Sequence, residues 1–393
     1  MLSFKEKSSV DVVIVGDFPQ SLELIRGGVQ ASMYGLAKVL SNHSEVKSLR
    51  VVSLPSKDQQ CDEEKNVDGI QVMYMSLPLA FLFSGVLRIP TLWLQGIGKK
   101  AYVHHVHGTG WVQALMIIIY RLLSRRFVWT VHGIVEKEEK DKFRYDPTIK
   151  KLLYVLLYTG IERMCLMLTR QIIVDTPYVQ DVIANRTRAA IHVIPQGIFC
   201  SEFRKTYRSG SHNIKSVVSL GVIARRKGHH FLLQAFRKAW DDDHDLRLII
   251  LGSVTEPDYL AELEQIIIDL QLSQVAYIHA NAPREKLISS LSEAGVFALH
   301  SEEESQGIAI CEALAAGLPV IATSVGGIPH VVKHQRSGLL SPFGDVDNFA
   351  KSISQLTQNA QLYEEMARNA LEDSALFDWS TIAKQVLEVY RRA

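Results

Sequence analysis

The feature that most restricts what this chain can fold into is a β-α grammar that runs twice. Short runs of β-branched and other apolar residues alternate with stretches of helical spacing. The first is "VDVVIVGDF" (Val10–Phe18), a short apolar run closed by glycine, which reads as a strand buried in a parallel sheet. After it, "RGGVQASMYGLAKVL" puts Val29, Met33, Leu36 and Leu40 on one helical face. "RVVSL", "AYVHHV", "RFVWTVHG", "QIIVDT" and "AIHVIPQG" continue the strands. The pattern restarts after residue 213 with the strands "IKSVVSLGVI", "LRLIILGS", "VAYIHA", "GVFALH" and "LPVIATS", the last of which closes the series. Between them lie the helices "GHHFLLQAFRKAW", "YLAELEQIIIDL" and "PREKLISSLSEA", and one from about Ile308.

At 393 residues the chain is too long for one ordinary core. Two doubly wound α/β domains are expected, 1–205 and 206 onward, joined through the polar segment 199–213. In such folds ligands bind beyond the carboxyl ends of the strands, which places the expected site in a cleft between the domains.

Composition, 47% apolar and 22% charged, is that of a soluble globular protein, and the net charge of +1 argues against a general nucleic-acid binder. That balance hides an asymmetry. Residues 1–200 carry 24 Lys+Arg against 18 Asp+Glu, residues 201–393 carry 19 against 24, and the two halves therefore suit different partners. Cys61, Cys165, Cys200 and Cys311 form no CxxC pair, so neither a zinc site nor a disulfide framework is expected, and a reducing compartment fits best. The N-terminus does not read as a signal peptide, and there is no span of about 20 uncharged apolar residues. A cytoplasmic protein is expected. The stretch 146–170 is strongly apolar yet carries Lys150, Lys151, Arg163 and Arg170, and "YRLLSRRF" (120–127) adds to it. It reads equally as a core helix with charged ends or as a patch peripheral on the inner membrane face.

The densest chemistry lies in "SEEESQGIAICEALAAGLPVIATSVGG" (301–327). Gly307 followed by "IAICEALAAG" reads as a helix beginning just after a loop, so the N–H groups around Ile308 and Ala309 suit a phosphate. Glu312 falls in the first two turns, where a carboxylate can accept bonds from vicinal hydroxyls such as those of a ribose. Glu304, on the preceding loop, would lie at the other end of a bound diphosphate. Taken alone, Glu-rich loops before helices are most often solvated caps. Arg225, Arg226 and Lys227, at another strand-to-helix loop, can neutralise a diphosphate. Gly27 and Gly28 would let backbone approach a ligand closely. No acidic metal cluster stands out, since "DDDHD" (241–245) reads as a solvated turn.

In this order and over almost the whole chain, these motifs resemble those of the retaining glycosyltransferases of family 4. The matching pieces are "RGGVQ", "TVHG" (130–133), "VIPQGI" (193–198), "LGVIARRKGHHFLLQAF", Glu304-x7-Glu312, "AAGLPVIATSVGGIPHVV" and "FDWSTIAKQVLEVYR". The resemblance implies the GT-B fold, two Rossmann-like domains facing across a cleft: 1–205 on the acceptor side, 206–375 on the donor side, and a terminal helix, 376–393, packing back on the first domain. It implies a nucleotide-sugar donor, most commonly a UDP-sugar, no cofactor and no metal. The acceptor is expected to be a saccharide or lipid-linked saccharide, since the basic apolar patch at 120–170 would suit a lipid-linked one at the inner membrane face, as in surface polysaccharide assembly. Lys227 would bind the diphosphate with the backbone at Gly307–Ala309, and Glu312 the ribose. Glu304 would face the transferred sugar, His132 would lie near sugar and acceptor, and Gly27–Gly28 would form a loop over the site. Departures bear on the sugar more than on the reaction: Val222 stands where the family commonly has Arg, a charge Arg225 or Arg226 would supply. Gln196 replaces Asn, Ser305-Gln306 replace Gly-Phe, and His330 replaces Glu.

Three other readings compete. A nicotinamide-dependent oxidoreductase needs GxGxxG after its first strand, which "VGDFPQSLELIRGG" does not supply. A non-catalytic scaffold would be expected to lose the charged residues, yet Lys227, Glu304 and Glu312 are all present. A phosphorylase or epimerase of the same architecture would be separated by product analysis.

Overall fold

The computed structural model describes residues 9–22, 27–54, 63–75, 102–134, 137, 148–204 and 213–393, with the backbone alone at 150 and 151. It divides into two compact units: Met1–Gly197 together with Trp379–Ala393, and Ile198–Asp378. The division falls just before the polar segment 199–213, whose residues Cys200–Arg204 form a short helix of the second unit.

Unit 1 holds eight strands: β1 (Val10–Gly16), β2 (Val46–Ser53), β3 (Glu63–Val67), β4 (Ile70–Tyr74), β5 (Tyr102–His107), β6 (Arg126–Val131), β7 (Gln171–Val174) and β8 (Ala190–Val193). Their order is β3-β4-β2-β1-β5-β6-β7-β8, and every neighbouring pair is parallel except β3–β4. Helices α1 (Gly27–Ser41), α2 (Trp111–Leu122), α3 (Ile149–Leu168) and α4 (Pro177–Ala184) follow β1, β5, β6 and β7. The antiparallel hairpin is the element the apolar pattern misses. β3 is "EEKNV", a polar strand at the sheet edge, where charge discourages further pairing. Its turn, Asp68-Gly69, has both φ values positive (50° and 84°), as a two-residue hairpin requires.

Unit 2 runs α5 (Cys200–Arg204), β9 (Asn213–Leu220), a 3-10 turn (Arg225–Lys227), α6 (His229–Asp242), β10 (Arg247–Gly252), α7 (Pro257–Asp269), β11 (Ala276–Ala280), α8 (Arg284–Glu293) and β12 (Ala294–Leu299). It continues through α9 (Ile308–Ala315), β13 (Val320–Thr323), α10 (Ile328–Val331), β14 (Gly338–Ser341), α11 (Val346–Gln358) and α12 (Ala360–Ser374). The series therefore does not close at "LPVIATS": β14 adds a sixth parallel strand beside β13. Only four residues long, "GLLS" is too short for its pattern to declare itself. The order β11-β10-β9-β12-β13-β14 is the doubly wound order of a dinucleotide-binding domain, with its reversal between β9 and β12. Successive residues of β9 feed opposite faces of the sheet. Val217 packs with Leu232, Phe236 and Ile353, while Val218 packs with Ile310, Leu314 and Phe377. A sheet covered on both faces explains why these strands read as unbroken apolar runs.

Helix α13 (Trp379–Arg392) belongs to unit 1. Trp379 is 4% exposed, and its ring lies where a side chain at Gly35 or Gly197 would stand. Tyr390 bonds to His105 Nδ1 (2.7 Å), and Arg126 donates to the carbonyls of Tyr390 (2.7 Å) and Ala393 (2.8 Å). A Cβ on Gly35 would meet Trp379 Nε1 at 2.0 Å. Gly35→Ala is therefore expected to destabilise unit 1 by about 1–3 kcal/mol through overpacking. Gly160→Ala, in α3 with nothing within 4 Å of the added carbon, should be neutral or stabilising by up to about 1 kcal/mol. Urea unfolding of the two variants checks the pair, and equal midpoints would contradict the packing of Trp379 on α1.

Candidate functional site

In unit 2 the strand reversal opens the sheet edge between β9 and β12, and the loops after β9, β12 and β13 close on one another there. The Glu302 N–H donates to the Arg226 carbonyl (2.8 Å) and the Gly327 N–H to the Glu304 carbonyl (2.7 Å). Two glycines permit the approach. A Cβ at Gly228 (φ 60°) would stand 2.1 Å from the His300 carbonyl oxygen, and one at Gly326 (φ 52°) 2.2 Å from that of Glu304. The backbone is thus drawn tight around Glu304.

Glu304 is 8% exposed, its carboxylate is paired with Lys227 Nζ, and Ser301 Oγ donates to its Oε1 at 2.8 Å. Burial pushes its pKa up, but the charges of Lys227 and Arg226 and the bonds from Lys227 and Ser301 outweigh it and hold it below the usual value. Glu304 and Lys227 are therefore brought together as an ion pair. Arg226 acts on the same carboxylate through its charge. Arg225 is not brought there. Its guanidinium forks onto Glu262, lies over the Tyr259 ring at 5.1 Å, and its N–H donates to Glu256 Oε2 at 3.1 Å. Of the two cations expected to replace an arginine at Val222, Arg226 is thus the one felt by Glu304.

Gly307 (φ 85°, ψ 73°) caps α9, and the N–H groups of Ile308 and Ala309 lie in its first turn, where a helix leaves donors without intrahelical acceptors. Glu312 follows in the second turn. It is 3.5 Å from Arg284 Nη1, and Arg284 Nη2 donates to Glu202 at 2.8 Å. Burial raises the Glu312 pKa, and Arg284 opposes that rise. Sequence reading missed Arg284. It lies far from Glu312 along the chain, and only the pairing of β12 beside β9 brings the start of α8 and α9 together.

Unit 1 presents its own row of polar groups at the carboxyl ends of consecutive strands. His132, just beyond β6, bonds through Nε2 to His107 Nδ1 (2.9 Å), and the two rings stack 5.1 Å apart. His105 lies 4.1 Å from the His107 ring and bonds to Thr130 Oγ1 (2.6 Å). Burial drives His132 down to about 4 and His105 to about 3, with His107 also well below its usual value, so the row is neutral at pH 7. Asp175, just beyond β7, is buried and pushed up to about 7, although the Gln196 amide donates to it. The departure to Gln at 196 thus has a local partner. Gly27 and Gly28 open α1, the helix after β1. Among the described residues no three His, Cys, Asp or Glu side chains gather to hold a metal ion. Cys165, Cys200 and Cys311 are buried free thiols, and Cys61 lies outside the described residues.

The Lys227–Glu304 pair yields a prediction. Because the Glu304 pKa is depressed on folding, the pair stabilises the chain above the ordinary carboxylate range, and that contribution is lost as pH falls through the folded value. Lys227→Ala leaves a buried carboxylate without its main counter-charge and should cost about 3–5 kcal/mol at pH 7. The gap from wild type should narrow as pH falls, first as the unpaired Glu304 of the variant takes up a proton and then as that of the wild type does. Denaturant unfolding at pH 7 and pH 4 measures it, and a gap independent of pH would refute the assignment.

Known proteins resemble the chain over both units. Residues 26–202 match the sequence model of Glycosyltransferase Family 4, and residues 207–373 match that of Glycosyl transferases group 1. A D-inositol 3-phosphate glycosyltransferase of Corynebacterium urealyticum is 30% identical over 221 residues, 52% of this chain and 51% of that protein. The chain spans about half the length of the relatives it matches at that identity. A D-inositol 3-phosphate glycosyltransferase of Corynebacterium efficiens is 28% identical over 94% of this chain and 88% of its own length. Among solved structures, Anabaena HepE in complex with UDP has a TM-score of 0.73 at 20% identity, covering 98% of this chain and all of that one, which is a likeness of fold. With one family profile on each of its two Rossmann-like units, the chain belongs to the family 4, group 1 glycosyltransferases of GT-B fold.

Proposed function

We propose that the protein is a retaining glycosyltransferase that moves a sugar from a nucleoside diphosphate sugar to an acceptor hydroxyl. The observation that carries this reading is the buried Lys227–Glu304 pair at the strand reversal of unit 2, beside a helix N-terminus and with Glu312 one turn farther on. Lys227, Arg226 and the amides at Gly307–Ala309 would hold the diphosphate, and Glu312 the ribose hydroxyls. Glu304 would face the sugar, and His132 of unit 1 would serve the acceptor side, with Gly27–Gly28 as the loop over the site. Arg225, occupied by Glu262, would shape the loop rather than touch the donor.

The bond from sugar C1 to the phosphate oxygen breaks, and a bond from C1 to the acceptor oxygen forms on the same face. The acceptor proton passes to the departing phosphate, so the anomeric configuration is retained. Lys227 and the helix amides stabilise the charge that develops on the leaving group, so no metal is called for in this scheme. A UDP-sugar is favoured as donor, because the fold neighbour Anabaena HepE is described in complex with UDP. A UDP-sugar at about 100 times its Kd should stabilise the wild type by about 2.7 kcal/mol. In a thermal-shift panel of nucleotide sugars, Glu312→Ala should lose most of that effect. If no nucleotide or nucleotide sugar shifts the wild type, the non-catalytic scaffold reading takes its place.

The acceptor is proposed to be a saccharide carried on lipid in surface glycan synthesis, reached at an anionic membrane surface. No described helix is long and apolar enough to cross a membrane. Yet α3 exposes Ile149 (82%), Leu153, Leu156 (62%), Leu157 and Met167, and Leu122 is exposed at the end of α2, the helix packed against it. Exposed Arg121 and Arg163 on the same two helices supply charge complementary to acidic lipid. The wild type should sediment with phosphatidylglycerol vesicles at low salt and not with phosphatidylcholine. Leu153→Glu/Leu156→Glu should stay in the supernatant, and a wild type that sediments with neither lipid overturns the membrane contact.

A further inference from the structure

The guanidinium of Arg284 lies between two carboxylates of unit 2, one of them Glu312, and none of the motifs that carry the family resemblance contains it. Arg284 is the first residue of α8. One of its terminal nitrogens lies 3.5 Å from Glu312 and the other 2.8 Å from Glu202 on α5. Its cationic carbon stands 5.8 Å from the centre of the Phe203 ring. Three elements, α5, α8 and α9, thus meet at one side chain.

We propose that Arg284 is a positioning residue for the nucleotide, orienting the Glu312 carboxylate toward the ribose hydroxyls while Glu202 and Phe203 fix the guanidinium from behind. The inference rests on the glycosyltransferase reading above and adds to it the group that makes Glu312 fit to accept. Other charged and titratable groups around Glu312 do not take over that task. Its neighbour Cys311 is a buried thiol pushed up to about 12, and Cys200 on α5 is another, at about 11. On α12, which packs against α9, Asp373 is held by Lys333 (2.8 Å) and Arg336 (3.3 Å). Glu202, the second carboxylate near Glu312, raises its pKa further, and burial is the larger cause in the same direction. Arg284 is the cation that opposes both.

Two consequences follow from the chemistry. An ionised carboxylate accepts two hydroxyl donors, whereas a protonated one spends part of its capacity as a donor. Without Arg284, Glu312 takes up a proton nearer neutrality, and nucleotide binding becomes more steeply pH-dependent than in the wild type. Without the orienting fork, the carboxylate also discriminates less between a nucleotide that has its ribose hydroxyls and one that does not.

The test is isothermal titration of the full chain with UDP and with 2′-deoxy-UDP between pH 5.5 and 8, for wild type, Arg284→Met and Arg284→Lys. Arg284→Met should bind UDP about tenfold or more weakly at pH 7, the loss expected when a charged hydrogen-bonding partner is removed. The deficit should grow as pH falls, and the preference for UDP over 2′-deoxy-UDP should shrink. Arg284→Lys should restore part of the affinity and bring the pH dependence back toward that of the wild type. Should Arg284→Met fail to fold, Glu202→Gln, which loosens the fork but removes a charge that raises the Glu312 pKa, should shrink the preference for UDP over 2′-deoxy-UDP without a deficit that grows as pH falls. Wild-type affinity in Arg284→Met, or a deficit equal at every pH and for both nucleotides, overturns the positioning role alone. A wild type that binds neither nucleotide overturns the glycosyltransferase reading and this inference together.

Discussion

The structure of unit 2 turns on the cost of keeping one carboxylate out of water. An isolated buried carboxylate is unfavourable by several kcal/mol, and it persists only where paired charge and hydrogen bonds offset the lost hydration. Glu304 meets that condition through Lys227, Ser301 and the nearby charge of Arg226, contributed by the loops after β9 and β12. The same requirement explains the backbone around it. Gly228 and Gly326 sit where only glycine leaves room for loops to touch, and the Glu304 carbonyl accepts from Gly327 while its side chain accepts from Lys227. The ion pair holds these loops in shape. On the proposed function, a diphosphate would compete with Glu304 for the Lys227 ammonium, so binding and release would exchange one anion for another on a single cation.

Much of this was legible in the sequence, for identifiable reasons. Parallel strands covered on both faces must be apolar throughout, so β1, β9, β10 and β12 announced themselves. The Glu304-x7-Glu312 spacing across Gly307 fixed a loop, a cap and a helix at once, and the helix does begin at Ile308. The polar edge strand β3 and the four-residue β14 were not legible as apolar runs. The hairpin signal Asp68-Gly69 was nevertheless there to be read. Lys227 and Glu304 could be nominated separately, but their pairing depends on β9 lying next to β12. Arg225 shows the limit of reading a basic cluster by residue type: three consecutive cations share a 3-10 turn, and its geometry sends Arg225 to Glu262 but Lys227 to Glu304.

Unit 1 solves a different problem with neutral groups. His107 and His132, at the ends of adjacent strands, bond to each other, while His105, whose ring lies against that of His107, bonds to Thr130 and Tyr390. Burial keeps them uncharged, so the row can both donate and accept without the hydration cost that Glu304 must offset. The charge asymmetry seen along the sequence therefore does not extend to these buried groups: one unit centres on an ion pair, the other on uncharged imidazoles.

The passage of the chain through its two units has a consequence for how the protein is made. Unit 2 is a single continuous stretch whose ends are neighbours, since the Ile198 N–H donates to the Phe377 carbonyl at 2.7 Å. Unit 1 is assembled from segments lying on either side of it. As the ribosome works from the N-terminus, all of unit 2 is synthesised while the slot between Gly35 and Gly197 still lacks the Trp379 ring. The sheet of unit 1 must wait, with β5 and β6 short of their contacts to Tyr390 and of its carbonyl for Arg126, until the second unit has emerged. The order of synthesis thus makes the unit that begins first the one that is completed last.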